Sequence, residues 1–407
     1  MFKDNYQNKI QSQYSELKTP CYIINAEQLE NNIREMKDAF VKCWGNRIRI
    51  GYSVKTNHNR TMLEIAKKSG ASAEVVSSDE FQWALACGYE PQNIVVNGPQ
   101  KTVDFLISAL EKGSLVNLDN LDEVAVVETW SERLKRQEIH VGIRVNFALE
   151  RDCPGETKTG ELASRFGICL ENGDFEQAVK RLKQAGITVE GLHFHYSTKS
   201  RSAEVFQTIA KKAAYVIRKY ELQEIRYIDF GGGYFGGRVL TGKPTMDDYA
   251  RAITEQLKEV VDCANVELVL EPGSSIIATA VDYLTKVIHT RNIGQQKVIT
   301  LDGSNLDINP FLYERVPDHT ILGKQMVTVC ETQLVGGATC MEQDRFMILH
   351  NEKELSYENY ILFHHTGAYT MCFNNGFINL PVRIYLCDKE QLTMVRENCG
   401  TGMLNLV

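Results

Sequence analysis

No stretch of the chain strings together the ~18 apolar residues that a membrane-spanning helix requires. Its first segment, MFKDNYQNKIQSQYSELKTP, is polar throughout and lacks the apolar core of a secretory signal. A cytoplasmic location without a membrane partner is therefore expected. Lysine and arginine never form a block. With 45 basic against 52 acidic side chains the net charge is -7, so no nucleic-acid partner is expected. Cysteine pairs at CxxC spacing are missing, as is any His/Cys cluster at metal spacing; the 11 cysteines are odd in number and scattered. Reduced thiols, most of them small core residues, are expected rather than a disulfide framework, and no resident metal. Low-complexity segments and linkers are absent too, so the parts of the chain should pack closely.

What is present is a 407-residue chain, 43% hydrophobic and 24% charged, the composition of a soluble globular protein able to bury a large core. Short β-branched runs alternate with helix-length amphipathic segments. Eight strands are expected at 47–54, 72–76, 93–97, 115–118, 140–146, 189–195, 225–230 and 266–270, with helices between them. That alternation predicts an α/β fold, a parallel (β/α)8 barrel. From about Asp282 the texture changes to β-rich segments such as VDYLTKVIHTRN and KQMVTVCETQLVGG, which predict a second, mostly β domain. The segment TPCYIINAEQLENNIREMKDAF reads as a strand and then a helix; that strand could pair with either domain.

In such a barrel the active site is built from residues at the C-terminal ends of strands. Lys55 of GYSVKTN ends the first strand, His195 the sixth, the run Gly231, Gly232, Gly233 the seventh and Glu271 the eighth. A buried lysine is costly as a cation and tends toward a nucleophilic amine suited to Schiff-base formation. A lone strand-end lysine equally suits a snorkelling or paired role. The triple glycine can form a backbone N–H nest for phosphate. A phosphorylated aldehyde would use both, and pyridoxal 5'-phosphate is such a cofactor.

The motifs TPCYIINAEQLENNI, GYSVKTN, AEVVSSDEF, SRFGI, GLHFHYST, IDFGGGYF, LEPG, GGATCMEQD, GAYT and FNNGF stand in one order along nearly the whole chain. In them the sequence resembles the fold type III pyridoxal phosphate enzymes of the ornithine/diaminopimelate/arginine decarboxylase family. The resemblance implies an alanine racemase-like architecture, with a cofactor-binding barrel over 30–275 and a β-rich domain formed by 1–29 and 276–407. It implies that Lys55 carries the cofactor as a Schiff base and that His195 stacks on the ring. Gly231 to Gly233 and Tyr369 would hold the phosphate, and Glu271 would face the pyridine nitrogen, keeping the cofactor a strong electron sink. Glu74 and Arg165 match positions that support the cofactor. Cys340 matches a cysteine that comes from the neighbouring subunit of a homodimer and returns a proton after decarboxylation.

Departures from the family pattern bear on the substrate. Members acting on diamino acids carry an acid directly after that cysteine; here the position is Met341, with Glu342 one place later. EPGR becomes EPGSS, an arginine before PALY becomes Asn309 in DINPFLY, and HIGS or HVGS becomes HYST. Met341, Glu342, Tyr313 and Phe377 are the candidate substrate contacts. The expectation is a decarboxylase of an amino acid or derivative other than plain lysine, ornithine or diaminopimelate, possible conjugates included. A racemase of the same fold is the alternative within enzymes, opposed by Glu271 because such sites set an arginine against the ring nitrogen. An inactive, antizyme-inhibitor-like binding protein is the alternative outside them, opposed by the joint presence of Lys55, His195, Glu271 and Cys340.

Overall fold

A computed structural model describes residues 2–136, 139–158, 160, 164–324, 326–373, 376–389 and 391–397. The chain divides into two compact units, one spanning Asn31–Ile276 and the other combining Met1–Glu30 with Ile277–Val407. In the first, eight parallel strands close into a barrel: β1 Ile48–Ser53, β2 Ser72–Val75, β3 Ile94–Val96, β4 Leu115–Leu118, β5 His140–Asn146, β6 Val189–His193, β7 Tyr227–Asp229 and β8 Glu267–Leu270. Each pairs with the next, and β8 returns to β1 through the register Leu268 to Ile48. The strands are buried along nearly their whole length because both faces are covered, by helices outside and packed side chains within. Helices follow the strands where a short polar residue can accept a free backbone N–H. Asn59 caps Arg60–Lys68, Ser77 caps Ser78–Ala86, Thr102 caps Val103–Glu111, Asn120 caps Leu121–Thr129 and Ser202 caps Ala203–Lys219.

One large ring packs with Val95, Leu115 and Val269. Tyr227 on β7 is buried, and a Cβ placed on Gly191 of β6 would lie 1.9 Å from its Cζ. A Cβ on Gly142 of β5 would lie 2.3 Å from its hydroxyl, which donates to Asn117 Oδ1 at 3.0 Å. Glycine at 191 is thus a matter of space. Gly191→Ala is expected to lower stability by about 1–3 kcal/mol through overpacking. Denaturant midpoints check this, and Gly191→Ala with Tyr227→Leu should lose less than the sum of the two single changes.

In the second unit the strand Cys21–Asn25 lies antiparallel to Val281–Ile293 and parallel to Arg383–Asp388. The N-terminal strand therefore completes the β sheet and takes no part in the barrel. That sheet runs Arg345–Lys353, Val329–Gly336, Gln296–Leu301, Val281–Ile293, Cys21–Asn25, Arg383–Asp388, Gln391–Arg396, with Tyr360–Phe363 also on Val281–Ile293 and His319–Leu322 beyond it. The helix Phe2–Gln13 was not foreseen in the polar N-terminus. It docks through Ile10, buried among Cys21, Ile23, Leu284 and Tyr360, with Tyr6 and Tyr14 alongside. So narrow an apolar contact leaves no readable periodicity. Among the described residues no helix is long and apolar enough to cross a membrane.

Candidate active site

At the C-terminal mouth of the barrel, β1 stops at Ser53 and a single 3-10 turn, Val54–Thr56, presents Lys55. Its Nζ lies 2.6 Å from Glu74 Oε2, and the Lys55 side chain is 34% exposed. This is a paired lysine, one of the two readings that a strand-end lysine allows. Ser53 Oγ donates to the same oxygen at 2.8 Å. Glu74 Oε1 accepts from Asn97 Nδ2 at 3.2 Å, and Asn97 Nδ2 also reaches Glu271 Oε1 at 2.6 Å. Asn117 Nδ2 continues the layer, to Asn97 Oδ1 at 2.9 Å and Asp229 Oδ2 at 3.3 Å. Three buried carboxyls, Glu74, Asp229 and Glu271, are thus joined by two carboxamides.

Their charges are unequal. Burial alone would raise Glu74, but the Lys55 charge and the bonds from Lys55, Ser53 and Asn97 reverse this and hold it below the usual carboxylate range. Burial pushes Asp229 up to about 7 against the bonds from Glu271 and Gly231. Glu271 rises well above its ordinary value through burial and then the Asp229 and Glu74 charges. Asp229 accepts the Gly231 N–H at 2.9 Å as well as Asn117, so the ionised member of the pair is better solvated there. Burial thus favours the protonated form of both acids, and Glu271, without the Gly231 N–H that Asp229 accepts, is the better site for a proton.

His195 lies two residues beyond β6 and accepts the Gly232 N–H on Nδ1 at 2.9 Å. Neutral His195 therefore carries its proton on Nε2. Burial, then Arg144 and Lys55, hold it well below the ordinary histidine value. His193 is buried with neither ring nitrogen hydrogen-bonded, its Nε2 3.6 Å from Glu271 Oε2. Arg144 on β5 reaches Asp119 Oδ1 and the His195 carbonyl, each at 3.3 Å. Asp119 in turn donates its backbone N–H to Glu123, which pairs with the fully buried Lys101 at 2.9 Å.

The glycine turn is a close approach of backbones. Gly231 has φ 54° and Gly233 φ 101°, and a Cβ on Gly231 would lie 2.5 Å from His195 Nδ1. The N–H groups of Gly231 and Gly232 are already engaged by Asp229 and His195. Arg165 is exposed with its guanidinium 4.0 Å from the centre of the Phe166 ring. The buried Arg144 lies over the same ring, 4.6 Å from its centre.

The remaining candidates lie in the β-rich unit. Cys340 is exposed on a turn clamped by buried Asp344, which accepts from Thr339 N and Oγ1 at 3.1 and 2.6 Å and from Asn305 N at 2.7 Å. Met341 is half-buried, whereas Glu342 is 89% exposed and pairs with Arg345 at 3.0 Å. Tyr313 is exposed beside Phe311, their ring centres 5.7 Å apart, and Phe377 is also exposed. Tyr369 is exposed at φ 56°. Asn309 is buried, its amide bonded to both the carbonyl and N–H of Tyr313. Of FNNGF, residues 374 and 375 lie outside the described residues.

Asn97, Asn117, Asp229, Arg144, His193 and Asp344 escaped the sequence reading. The signal shared by all but Asp344 is a polar side chain inside or just after a strand run, as in IVVN, LVNL, YID and GIRVN. Together the barrel residues offer an accessible amine, a buried acid, unsatisfied imidazole nitrogens and a turn too tight for any Cβ. Such a set fits a group bringing an aldehyde, a basic ring nitrogen and an anion.

Comparison with known proteins agrees. Residues 26–278 match the family model described as pyridoxal-dependent decarboxylase, pyridoxal binding domain. The chain is 27% identical over 378 residues to the probable chloroplastic diaminopimelate decarboxylase of Oryza sativa subsp. japonica, covering 90% of this chain and 74% of that one. It is 27% identical over 396 residues to the diaminopimelate decarboxylase of Methanocaldococcus jannaschii, covering 93% and 88%. A crystal structure of diaminopimelate decarboxylase from M. jannaschii in complex with L-lysine superposes with a TM-score of 0.82 at 26% identity, over 95% of this chain and 91% of that one. The arginine decarboxylase of Paramecium bursaria Chlorella virus shares the fold, with a TM-score of 0.76 at 21% identity over 95% and 100%. The chain belongs to the pyridoxal-dependent decarboxylases, fold type III enzymes that use pyridoxal 5'-phosphate to remove carbon dioxide from amino acids.

Proposed function

We propose that Lys55 is the amine that holds the cofactor and that the substrate is a modified, conjugated or biosynthetic-pathway amino acid rather than plain lysine, ornithine or meso-diaminopimelate. The 2.6 Å contact of Lys55 with Glu74, in a layer that Asn97 extends to Glu271, carries the site assignment. Pyridoxal phosphate supplies an aldehyde that condenses with amines and a cationic ring that accepts the electron pair left as carbon dioxide departs. A nucleophilic amine must first lose a proton, and Glu74 is an acceptor 2.6 Å from Lys55. Glu271 can stand as a carboxylate against a cationic ring nitrogen by giving up the proton that burial favours there. His195, pinned through Nδ1, offers a fixed flat face. Gly233 and Tyr369 are the proposed phosphate contacts, with Gly231 and Gly232 shaping the turn. Cys340, held by the Asp344 clamp, returns the proton from a second copy of the chain, as the family resemblance implies.

The substrate reading rests on side chains that cannot pair a distal charge. A thioether at Met341 does not bind an ammonium, Glu342 is turned to Arg345, and the Asn309 amide is occupied by Tyr313. A desolvated charge left without a partner is strongly disfavoured. The names of the similar proteins favour a second reading, meso-diaminopimelate itself. A carbon dioxide release screen over L-, D- and carrier-linked amino acids, with meso-diaminopimelate, lysine and ornithine included, separates the two. Highest kcat/KM on meso-diaminopimelate would replace the first reading with the second.

Restoring an acid by Met341→Asp is expected to raise activity on ornithine or lysine by about tenfold to a hundredfold, the equivalent of roughly 1.5–3 kcal/mol from a charge-assisted contact. Steady-state kinetics on the cofactor-loaded variant check it. Unchanged discrimination in a folded protein would show that Met341 does not line the pocket.

A further inference from the structure

We infer that Asn97 is a positioning residue that sets the cofactor-binding state of the barrel by holding Glu74 and Glu271 apart and in fixed orientation. Its carboxamide is fully used: one nitrogen reaches Glu74 Oε1 at 3.2 Å and Glu271 Oε1 at 2.6 Å, and its oxygen accepts from Asn117 at 2.9 Å. A primary amide has two N–H bonds to give, so each acid receives one. The oxygens left over point to the chemistry. Glu74 Oε2 takes Lys55 and Ser53, and Glu271 Oε2 faces His193. Asn97 is 3% exposed, so water does not replace it. The two acids that meet the amine and, on the reading above, the ring nitrogen are therefore joined through one side chain, and a change at Asn97 is felt at both.

The charged groups around this amide are Glu74 on β2, Glu271 after β8, Lys55 after β1 and, through Asn117 on β4, Asp229 on β7. All but Lys55 are acids, so the amide N–H groups stabilise whichever of Glu74 and Glu271 is ionised. An aspartate of the same shape would do the reverse. It would set a third acceptor between two acceptors and add a charge that only protonation removes.

The experiment measures cofactor dissociation constants by absorbance titration of apo protein, from pH 5.5 to 8.5, for wild type, N97A, N97D, E271Q and N97A/E271Q. N97A is expected to weaken binding about tenfold or more, the scale of one charge-assisted hydrogen bond. N97D should be weaker still at high pH and recover as the pH falls and its carboxyl takes up a proton. In the E271Q background the N97A effect should shrink at least about fivefold, because the two act through one contact. Multiplicative effects of N97A and E271Q, or N97D binding like wild type across the range, would overturn the inference. Should N97A not fold, N97D alone decides, since a space-filling role for Asn97 predicts no pH-dependent defect. This inference rests on the Lys55 and Glu271 roles proposed above. E271Q with wild-type affinity and spectrum would instead remove that reading.

Discussion

Lys55→Ala will lose the borohydride-reducible link between chain and cofactor, and turnover will fall by more than about 10³-fold, the scale on which loss of a covalent nucleophile registers. Peptide mapping after borohydride reduction is the decisive measurement. A reduced adduct on the variant chain would mean that another lysine is the anchor. Lys101 is the informative control, because it is fully buried and paired with Glu123 while Lys55 remains 34% exposed at the barrel mouth.

The same substitution carries a stability signature with a defined sign. In the native barrel Glu74 sits below its ordinary range, so it contributes stability that is present above the unfolded value, about 4.3 for glutamate, and lost as the pH falls through the folded one. Removing Lys55 takes away the charge and bond that lowered it most, leaving the Ser53 and Asn97 bonds to oppose burial, which raises it. The variant's Glu74 then costs stability as the pH rises through its new folded value. The gap between wild-type and variant apo protein should be small near pH 4 and widen toward neutrality, to about 1–3 kcal/mol at pH 7. Urea midpoints across that range read it. A gap independent of pH would mean that Glu74 is not the group Lys55 neutralises.

The barrel was legible because its signals are local. Apolar runs of strand length, each followed by a capped amphipathic segment, place the strands within a residue or two of the observed spans. The strands expected to extend to Val54 and His195 stop at Ser53 and His193, because the chain turns there to present Lys55 and His195. Lys55, His195 and Glu271 could be singled out because each is a conspicuous residue at a strand end. The layer beneath them could not. Asn97, Asn117 and Asp229 act through one another across β3, β4 and β7, and a contact between residues 20 to 112 positions apart has no periodicity to betray it. Partner residues such as Asp344 were hidden for the same reason, since the clamp on the Cys340 turn reaches back to Asn305. Arg165 drew attention through its motif, yet Arg144, an unremarked charge inside GIRVN, holds the His195 carbonyl.

Mixing two inactive variants is expected to restore activity. On the proposed reading Cys340 serves a site whose Lys55 belongs to another copy of the chain, so each site of an isologous dimer takes one residue from each subunit. Lys55→Ala removes the amine, and Cys340→Ala removes the proton donor, which slows decarboxylation or diverts it as protons return from solvent. After subunit exchange about half of the dimers are mixed. Each mixed dimer has one site lacking both residues and one site with both, so about a quarter of wild-type activity should appear. The structure makes Cys340→Ala a mild change for its own unit, because the thiol is exposed and the turn is held by Asp344 through Thr339 and Asn305. Differently tagged subunits show by mass how many mixed dimers form, and that fraction sets the expected activity. Mixed dimers in the expected proportion with no activity above the two parents would place Lys55 and Cys340 in the same chain's site. A chain that stays monomeric in this assay, with wild type active, would remove the shared site altogether.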